Sequence, residues 1–188
     1  METVIAKIRS MGVDLPAESV NRLMQCVSRR CFTRRQKMVE AGARGGYAYF
    51  IEKGITRSYW LVDGQEITTS FSLEGSVVFS MDEMYYGKES EEYVEAVEAV
   101  EAYAIAVTDL RKLWTEDAAF ARWALLIHQD EYRRLHRSHK ERLTLAAAER
   151  YEAFRTQFPE VCRRARLGDI ASYLGLTLPT LSRLRAKK

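Results

Sequence analysis

From Arg166 to Arg185 the chain reads Arg-Leu-Gly-Asp-Ile-Ala-Ser-Tyr-Leu-Gly-Leu-Thr-Leu-Pro-Thr-Leu-Ser-Arg-Leu-Arg, a stretch that leaves its backbone few choices. Ile170, Ala171 and Leu174 fall on one face of a short helix, Gly175 ends it, and Leu176, Leu181 and Leu184 resume the apolar rhythm. A helix that stops in a sharp turn needs positive φ at its end, and glycine adopts it at least cost. Ala171, four residues before that turn, is small enough for two helices to cross closely. Thr177 stands where a second helix needs an N-cap, and Pro179 falls in that helix's first turn, where backbone N–H groups have no intrahelical partner. The spacing predicts a helix-turn-helix.

Charge supports a polyanionic partner for that motif. The 188 residues carry a net charge of only +3, but residues 1–110 hold 12 Lys/Arg against 17 Asp/Glu, and residues 111–188 hold 17 against 9. The halves are therefore −5 and +8. Arg163, Arg164, Arg166, Arg183, Arg185, Lys187 and Lys188 surround the helix-turn-helix, as a DNA-binding face requires; a merely solvated surface is the plainer reading of the same charges. No run approaches the ~18 to 20 apolar residues of a membrane helix. Lys7 and Arg9 interrupt the apolar pattern of the N-terminus, which argues against a signal peptide. Cys26, Cys31 and Cys162 form no even framework, so the expected location is a reducing cytoplasm and the expected role of the thiols is packing. A redox pair of Cys26 with Cys31 is the alternative.

Val4, Ile5 and Ile8, then Val20, Leu23, Met24 and Val27, have helical spacing, with Pro16 between them; they predict two N-terminal helices. From about Gln36 the texture changes to short Tyr-, Phe-, Val-, Ile- and Thr-rich segments: Tyr47 to Ile51, Ile55 to Leu61, Glu66 to Phe71, Val77 to Ser80, Tyr93 to Ala99 and Ala102 to Val107. Turn signals separate them at Gly45-Gly46, Lys53-Gly54, Asp63-Gly64 and Glu74-Gly75, and Asp63-Gly64 marks a two-residue hairpin. The implied class is α+β with an antiparallel sandwich or roll. A stretch from Glu116 to Leu143 without Gly or Pro then predicts one helix of roughly 40 Å. Its apolar stripe, Phe120, Trp123, Ala124 and Ile127, is expected to pair with a symmetry mate; packing on the roll is the alternative. A further helix, Ala146 to Phe158, ends at Pro159.

This order of parts resembles the Crp-Fnr family of bacterial transcription regulators over nearly the whole chain. The local anchors are Tyr47-Ala-Tyr-Phe-Ile-Glu-Lys-Gly54, Asp63-Gly-Gln-Glu66, Phe71-Ser-Leu-Glu-Gly75, Ile170-Ala-Ser-Tyr-Leu-Gly175 and Thr180-Leu-Ser-Arg183. The resemblance implies three regions: N-terminal helices with a cyclic-nucleotide-binding-like β-roll sensor over 1–114, a long dimerisation helix over 115–143, and a helix-turn-helix DNA-binding domain over 144–188. It implies a homodimer, double-stranded DNA as partner, RNA polymerase as a further partner, and no membrane.

Two departures from the family pattern shape the expectations. Members that bind cyclic nucleotides carry a Gly-Glu pair for the ribose and an Arg-Ser or Arg-Thr pair for the cyclic phosphate in the segment after the glycine matched by Gly75. Here the run is Ser76-Val-Val-Phe-Ser-Met-Asp-Glu-Met-Tyr-Tyr-Gly-Lys-Glu-Ser-Glu-Glu-Tyr93, with Glu89-Ser90 or Ser90-Glu91 in place of the arginine pair. From Ser58 to Leu110 there is no arginine and one lysine, Lys88. A buried phosphate needs a fixed cation or several aimed donors, so tight binding of cyclic AMP or cyclic GMP is not expected. Ser80, Tyr85, Tyr86, Lys88 and Ser90 form the candidate lining of a differently furnished pocket, whose effector, if any, is open.

The second departure is at the DNA end. An acidic residue often present in the family's recognition helix is replaced by Pro179, which offers a base no hydrogen bond. Arg183 is then the candidate for guanine O6 and N7, with Thr177, Thr180 and Ser182 beside it and Arg185, Lys187 and Lys188 for phosphates. No hairpin sequence follows the second helix up to Lys188, so a motif lacking the family's wing is expected.

No catalytic reading competes strongly. His128, His136 and His139 all lie in the long helical stretch and none on a strand, so the roll has no cupin-type metal set; no iron–sulfur spacing, nucleophile elbow or phosphate loop is present. The expectation is a non-enzyme without cofactor or metal: a dimeric, sequence-specific DNA-binding regulator. The rival is a β-roll ligand- or protein-binding module whose DNA binding is weak or lost.

Overall fold

The computed structural model describes residues 1–186. Helices α1 (Glu2–Ser10) and α2 (Ala17–Cys26) lead into eight strands: β1 (Val27–Phe32), β2 (Lys37–Val39), β3 (Tyr47–Lys53), β4 (Thr56–Val62), β5 (Gln65–Ser72), β6 (Val77–Val78), β7 (Tyr93–Ala96) and β8 (Val100–Ala106). They form two antiparallel four-stranded sheets, ordered β1-β8-β3-β6 and β2-β7-β4-β5. The hairpin expected at Asp63-Gly64 joins β4 to β5 with Val62 opposite Gln65, and both turn residues have positive φ, 50° and 77°. Helices α3 (Val107–Glu116), α4 (Ala118–Thr144), α5 (Ala147–Gln157), α6 (Pro159–Arg164), α7 (Leu167–Leu174) and α8 (Leu178–Ala186) complete the chain. No helix among the described residues is long and apolar enough to cross a membrane.

Three apolar clusters organise this architecture. Between the sheets lie Tyr49, Ile51, Val78, Val94, Ala96 and Ala102, the interior of the roll. Outside the first sheet, Phe50 and Ile105 meet Val4, Ile8, Leu23, Leu110 and Leu113 from α1, α2 and α3. Outside the second sheet, Ile55, Phe71 and Val97 meet Phe154, Ile170 and Tyr173 from the C-terminal helices. Each large side chain so buried contributes roughly 1.5–3 kcal/mol. The third cluster ties the terminal helices to the roll of the same chain.

Several expectations need correction. Val27 does not extend the second helix; it opens β1, whose residues are mostly exposed and carry no alternating pattern. Most of α3, all of α6 and the π-helical turn Asp82–Tyr86 lie outside the helices that the apolar spacing predicts. Asp117 separates α3 from α4: its backbone is extended and its carboxylate accepts from the amides of Ala119 at 3.0 Å and Phe120 at 3.2 Å. The apolar stripe of α4 also changes meaning. Phe120 and Trp123 are 0% and 1% exposed, and Trp123 stacks on Phe50 of β3 with ring centroids 5.8 Å apart, so both belong to the chain's own core and have no surface left for a symmetry mate. Ile127 packs against the same cluster and Ala124 is half-buried. The exposed apolar residues of α4 are instead Leu125, Tyr132, Leu135 and Leu143, at 58%, 73%, 53% and 72%. Spacings of 7, 3 and 8 place them on one side of the helix. Cys26 and Cys31 are exposed rather than packed, and only Cys162 lies against a core.

Candidate nucleic-acid interface

The helix-turn-helix forms as its residues dictate. Gly175 ends α7 with φ 65°, and the amide of Leu176 closes the turn onto the Ala171 carbonyl at 2.9 Å. Thr177 caps α8, its hydroxyl accepting from the Thr180 amide at 3.3 Å and lying 2.9 Å from the Thr180 hydroxyl. Ile170, Ala171, Leu174 and Leu181 are buried between the two helices and the helices behind them. The hydroxyls of Thr177 and Thr180 are thus engaged with the helix start. Ser182, Arg183 and Arg185 stand exposed on α8, preceded by exposed Leu178 and Pro179. Among the described residues Arg183 makes one bond, from Nε to the Pro179 carbonyl at 3.3 Å, and its side chain is exposed. Lys187 and Lys188 lie outside the described residues.

The basic approach expected from Arg163, Arg164 and Arg166 is not present as an open cationic face. Arg163 pairs with Glu160 on its own helix. Arg164 crosses to the roll, meeting Glu74 at 2.6 Å and also Glu98. Arg166 forms a two-pronged pair with Asp169, at 2.9 and 3.0 Å, and reaches Glu95 at 3.5 Å. Ion pairing with Glu74 and Glu98 holds Arg164 far above the ordinary guanidinium value, so it remains charged throughout.

At the centre of this junction lies Arg57 of β4, only 1% exposed. Its Nε donates to Glu95 at 2.8 Å, its Nη1 lies 3.0 Å from Asp169 and 3.3 Å from the Thr68 hydroxyl, its Nη2 donates to Glu66, and its guanidinium carbon sits 4.3 Å from the Tyr59 ring centroid. Burial pushes the Asp169 carboxyl upward against the pull of Arg57. One turn on, the Ser172 hydroxyl accepts from the Thr68 amide at 2.9 Å and donates to the Glu66 carbonyl at 2.9 Å. Sequence reasoning missed this centre. Its one signal was that Arg57 is the lone arginine between Arg44 and Arg111, in the acidic half of the chain.

The expected sensor pocket is largely dispersed. An open cleft of about 430 Å3 lies at the mouth of the roll, lined by the 37–43 segment with Gly46, Tyr47, Tyr49, Ser80 and Glu83. Of the expected residues, only Ser80 lines it. Tyr85 instead stacks with Trp114 at 6.5 Å and bonds through its hydroxyl to His128 Nε2, because the π-helical turn aims it at α3 and α4. Tyr86 and Lys88 are exposed. Ser90 is buried but turns its hydroxyl onto the carbonyl of Glu92 at 2.9 Å. Beside it the Glu92 carboxyl is pushed up to about 7, first by burial and then by the charge of Asp82.

Comparison with known proteins supports the fold. No protein-family profile matches the sequence, and no curated protein is significantly similar to it. Solved structures do match. FixK2 from Bradyrhizobium japonicum superposes with a TM-score of 0.73 at 24% identity, over 86% of this chain and 83% of that one. The regulator CLP of Xanthomonas campestris, described as responsive to c-di-GMP, gives 0.72 at 16% identity, over 92% and 91%. A protein from Eubacterium rectale described as a transcriptional regulator of the Crp/Fnr family gives 0.74 at 14% identity, over 93% and 83%. The chain has the Crp/Fnr-like fold: a cyclic-nucleotide-binding-type β-roll, a long helix and a C-terminal helical unit containing the helix-turn-helix.

Proposed function

We propose that this chain is a sequence-specific DNA-binding transcription regulator, homodimeric and cytoplasmic, whose β-roll does not take a cyclic nucleotide in the usual way. One observation carries the reading: α7 is anchored to the roll while the outer face of α8 stays exposed, with Ser182, Arg183 and Arg185 on it. A helix held from behind with donors outward suits entry into the major groove, where arginine reads guanine and flanking cations meet phosphates. Leu125, Tyr132, Leu135 and Leu143 supply an apolar stripe for helix pairing, which would bring two such motifs together. RNA polymerase is the further partner of a regulator bound beside a promoter.

Against a cyclic phosphate stand Asp82, Glu91 and Glu92 in the segment where the resemblance puts a cationic pair, with Ser90 turned inward. An anion there would meet like charge in a partly desolvated site.

The exposed Leu178 and Pro179 at the start of α8 favour a second reading, a roll-based binding module with weak or lost DNA binding. Selection from random duplexes at moderate salt decides between them. The regulator should enrich a pseudo-palindrome with half-sites about one helical turn apart, or a multiple of it. No enrichment would leave the binding-module reading.

A further inference from the structure

We infer that Arg57 is a positioning residue for DNA binding: it clamps Asp169 of α7 against the second sheet and so fixes the orientation of the helix-turn-helix on the roll. The inference rests on the reading of α8 as a DNA-contacting helix. Arg57 itself lies on the sheet and carries no side chain toward that helix's outer face.

A guanidinium has five donors in a rigid fork, and burying it without matched acceptors is prohibitive. Around Arg57 the acceptors come from both sides of the junction: Glu66, Thr68 and Glu95 from the sheet and Asp169 from α7. The sheet-side partners fix the fork, and the fork then fixes Asp169 to within a hydrogen bond's tolerance. Glu95 and Asp169 are also joined by Arg166, so two cations and two buried carboxylates alternate across the junction. Shifting α7 by one residue would leave a buried charge unpaired.

Ser172 adds a second, independent restraint. It lies three residues after Asp169, on the same face of α7, and pairs with two backbone groups of β5. β5 ends its sheet, so its outer row of amides and carbonyls is open to such a partner. The apolar contacts of Phe71 with Phe154 and Tyr173 hold the same surfaces together but are non-directional. Burial supplies adhesion; the ionic and hydrogen-bonded contacts supply register. A buried ion cluster adds little adhesion beyond what well-packed apolar residues would give, whereas removing one member strands the others' charge, so what this cluster adds to the junction is direction. A symmetric operator requires both recognition helices at a set separation, so looseness at this junction reduces the population of chains ready to bind.

The test uses the full chain and Arg57→Met, which keeps length and removes the fork. Three measurements are made: thermal unfolding, hydrogen exchange of peptides covering β5 and α7, and affinity for a duplex enriched by selection. The expected result is a lower melting temperature, because Glu95 and Asp169 are left with Arg166 as their only paired cation among the described residues, with faster exchange in β5 and α7 but not in β3 and β8, and at least tenfold weaker DNA binding at a temperature where the variant is folded. Unchanged exchange overturns the inference, as does affinity within twofold of the parent or tighter than it. If Arg57→Met fails to fold, Asp169→Asn is measured in its place with the same expected and overturning results, because it leaves Arg57 its sheet-side partners. Faster exchange in a protein whose parent binds no duplex would sink the DNA reading while leaving the clamp intact.

Discussion

Glu92 offers a sharp test of the proposal that the roll is not a phosphate site. Its carboxyl is pushed from the ordinary 4.5 up to about 7, by burial first and by Asp82 second. At pH 8 the folded chain must hold that charge in a partly desolvated place beside another carboxylate, whereas the unfolded chain holds it in water. The sign follows from proton binding: between the two values the folded state binds more protons, so this residue's contribution to stability falls as pH rises. It is most favourable below about 4.5 and is lost as pH climbs through about 7. At ~1.4 kcal/mol per tenfold change in the ionisation constant, the full difference is roughly 3 kcal/mol, of which about 2 to 3 kcal/mol develops between pH 5 and pH 8. Glu92→Gln removes the titration and keeps the shape. Measured by thermal or urea unfolding at fixed protein concentration, the variant should gain little over the parent at pH 5. At pH 8 it should gain the larger amount, about 5 to 10 °C in melting temperature for a chain of this size. Asp82→Asn should recover part of the same gain. Parallel profiles for parent and Glu92→Gln, or a difference that grows toward acid, would refute the assignment of Glu92 as a buried, strained carboxyl.

The remaining expectations concern the long helix and the reading face. Trp123→Ala should cost about 3 to 5 kcal/mol of folding stability, because it empties a site against Phe50 and Trp114, and the loss should persist in any variant that is already monomeric. Leu135→Glu combined with Leu125→Glu should convert a dimer to monomers in sedimentation velocity while far-ultraviolet circular dichroism is unchanged, since both side chains are more than half exposed in the single chain; a dimer that survives would place the interface elsewhere. Arg183→Ala should relax preference at one base pair, at a cost of about 1 to 3 kcal/mol, whereas Lys187→Ala should weaken all sequences alike and reduce the salt slope by about one. Identical behaviour of those two variants would mean that Arg183 reads no base.

What the sequence revealed, and what it concealed, follows from the range of the forces involved. The helix-turn-helix is legible because its determinants are local: Gly175 for the turn, Thr177 for the cap, Pro179 in a first turn. The β4–β5 hairpin is legible for the same reason, in Asp63 and Gly64. β1 is hidden because it pairs only with β8 and leaves Arg29, Arg30 and Cys31 exposed, so neither face shows an apolar alternation. Phe120 and Trp123 form a helical stripe, but a stripe states only that something covers it; that the cover is Phe50, in a strand seventy residues earlier, depends on topology. Arg57, in Thr-Arg-Ser, reads as the polar face of a strand, and Asp169 reads as the acid that helix N-termini favour. Their meeting is fixed by the docking of the terminal helices, which no local pattern records.

That meeting also changes what the charge asymmetry means. Taken along the chain, −5 against +8 suggests a basic half reserved for a polyanion. In the fold, part of the imbalance is internal: Arg164 is taken up by Glu74 and Glu98, and Arg166, paired with Asp169 of its own half, also reaches Glu95, so carboxylates of the acidic half offset arginines of the basic one. The acidic roll is therefore a docking surface for the helical unit, and the same carboxylates underlie the proposal that it does not take a cyclic phosphate. Both properties come from the same choice of residues on β5, β7 and the turns beside them. A cation introduced at Glu95 to favour an anionic ligand would face Arg57 and Arg166 across 2.8 and 3.5 Å contacts and break the junction. In this chain the acidity of the roll and the docking of α7 are coupled at Glu95, because the same carboxylate serves both.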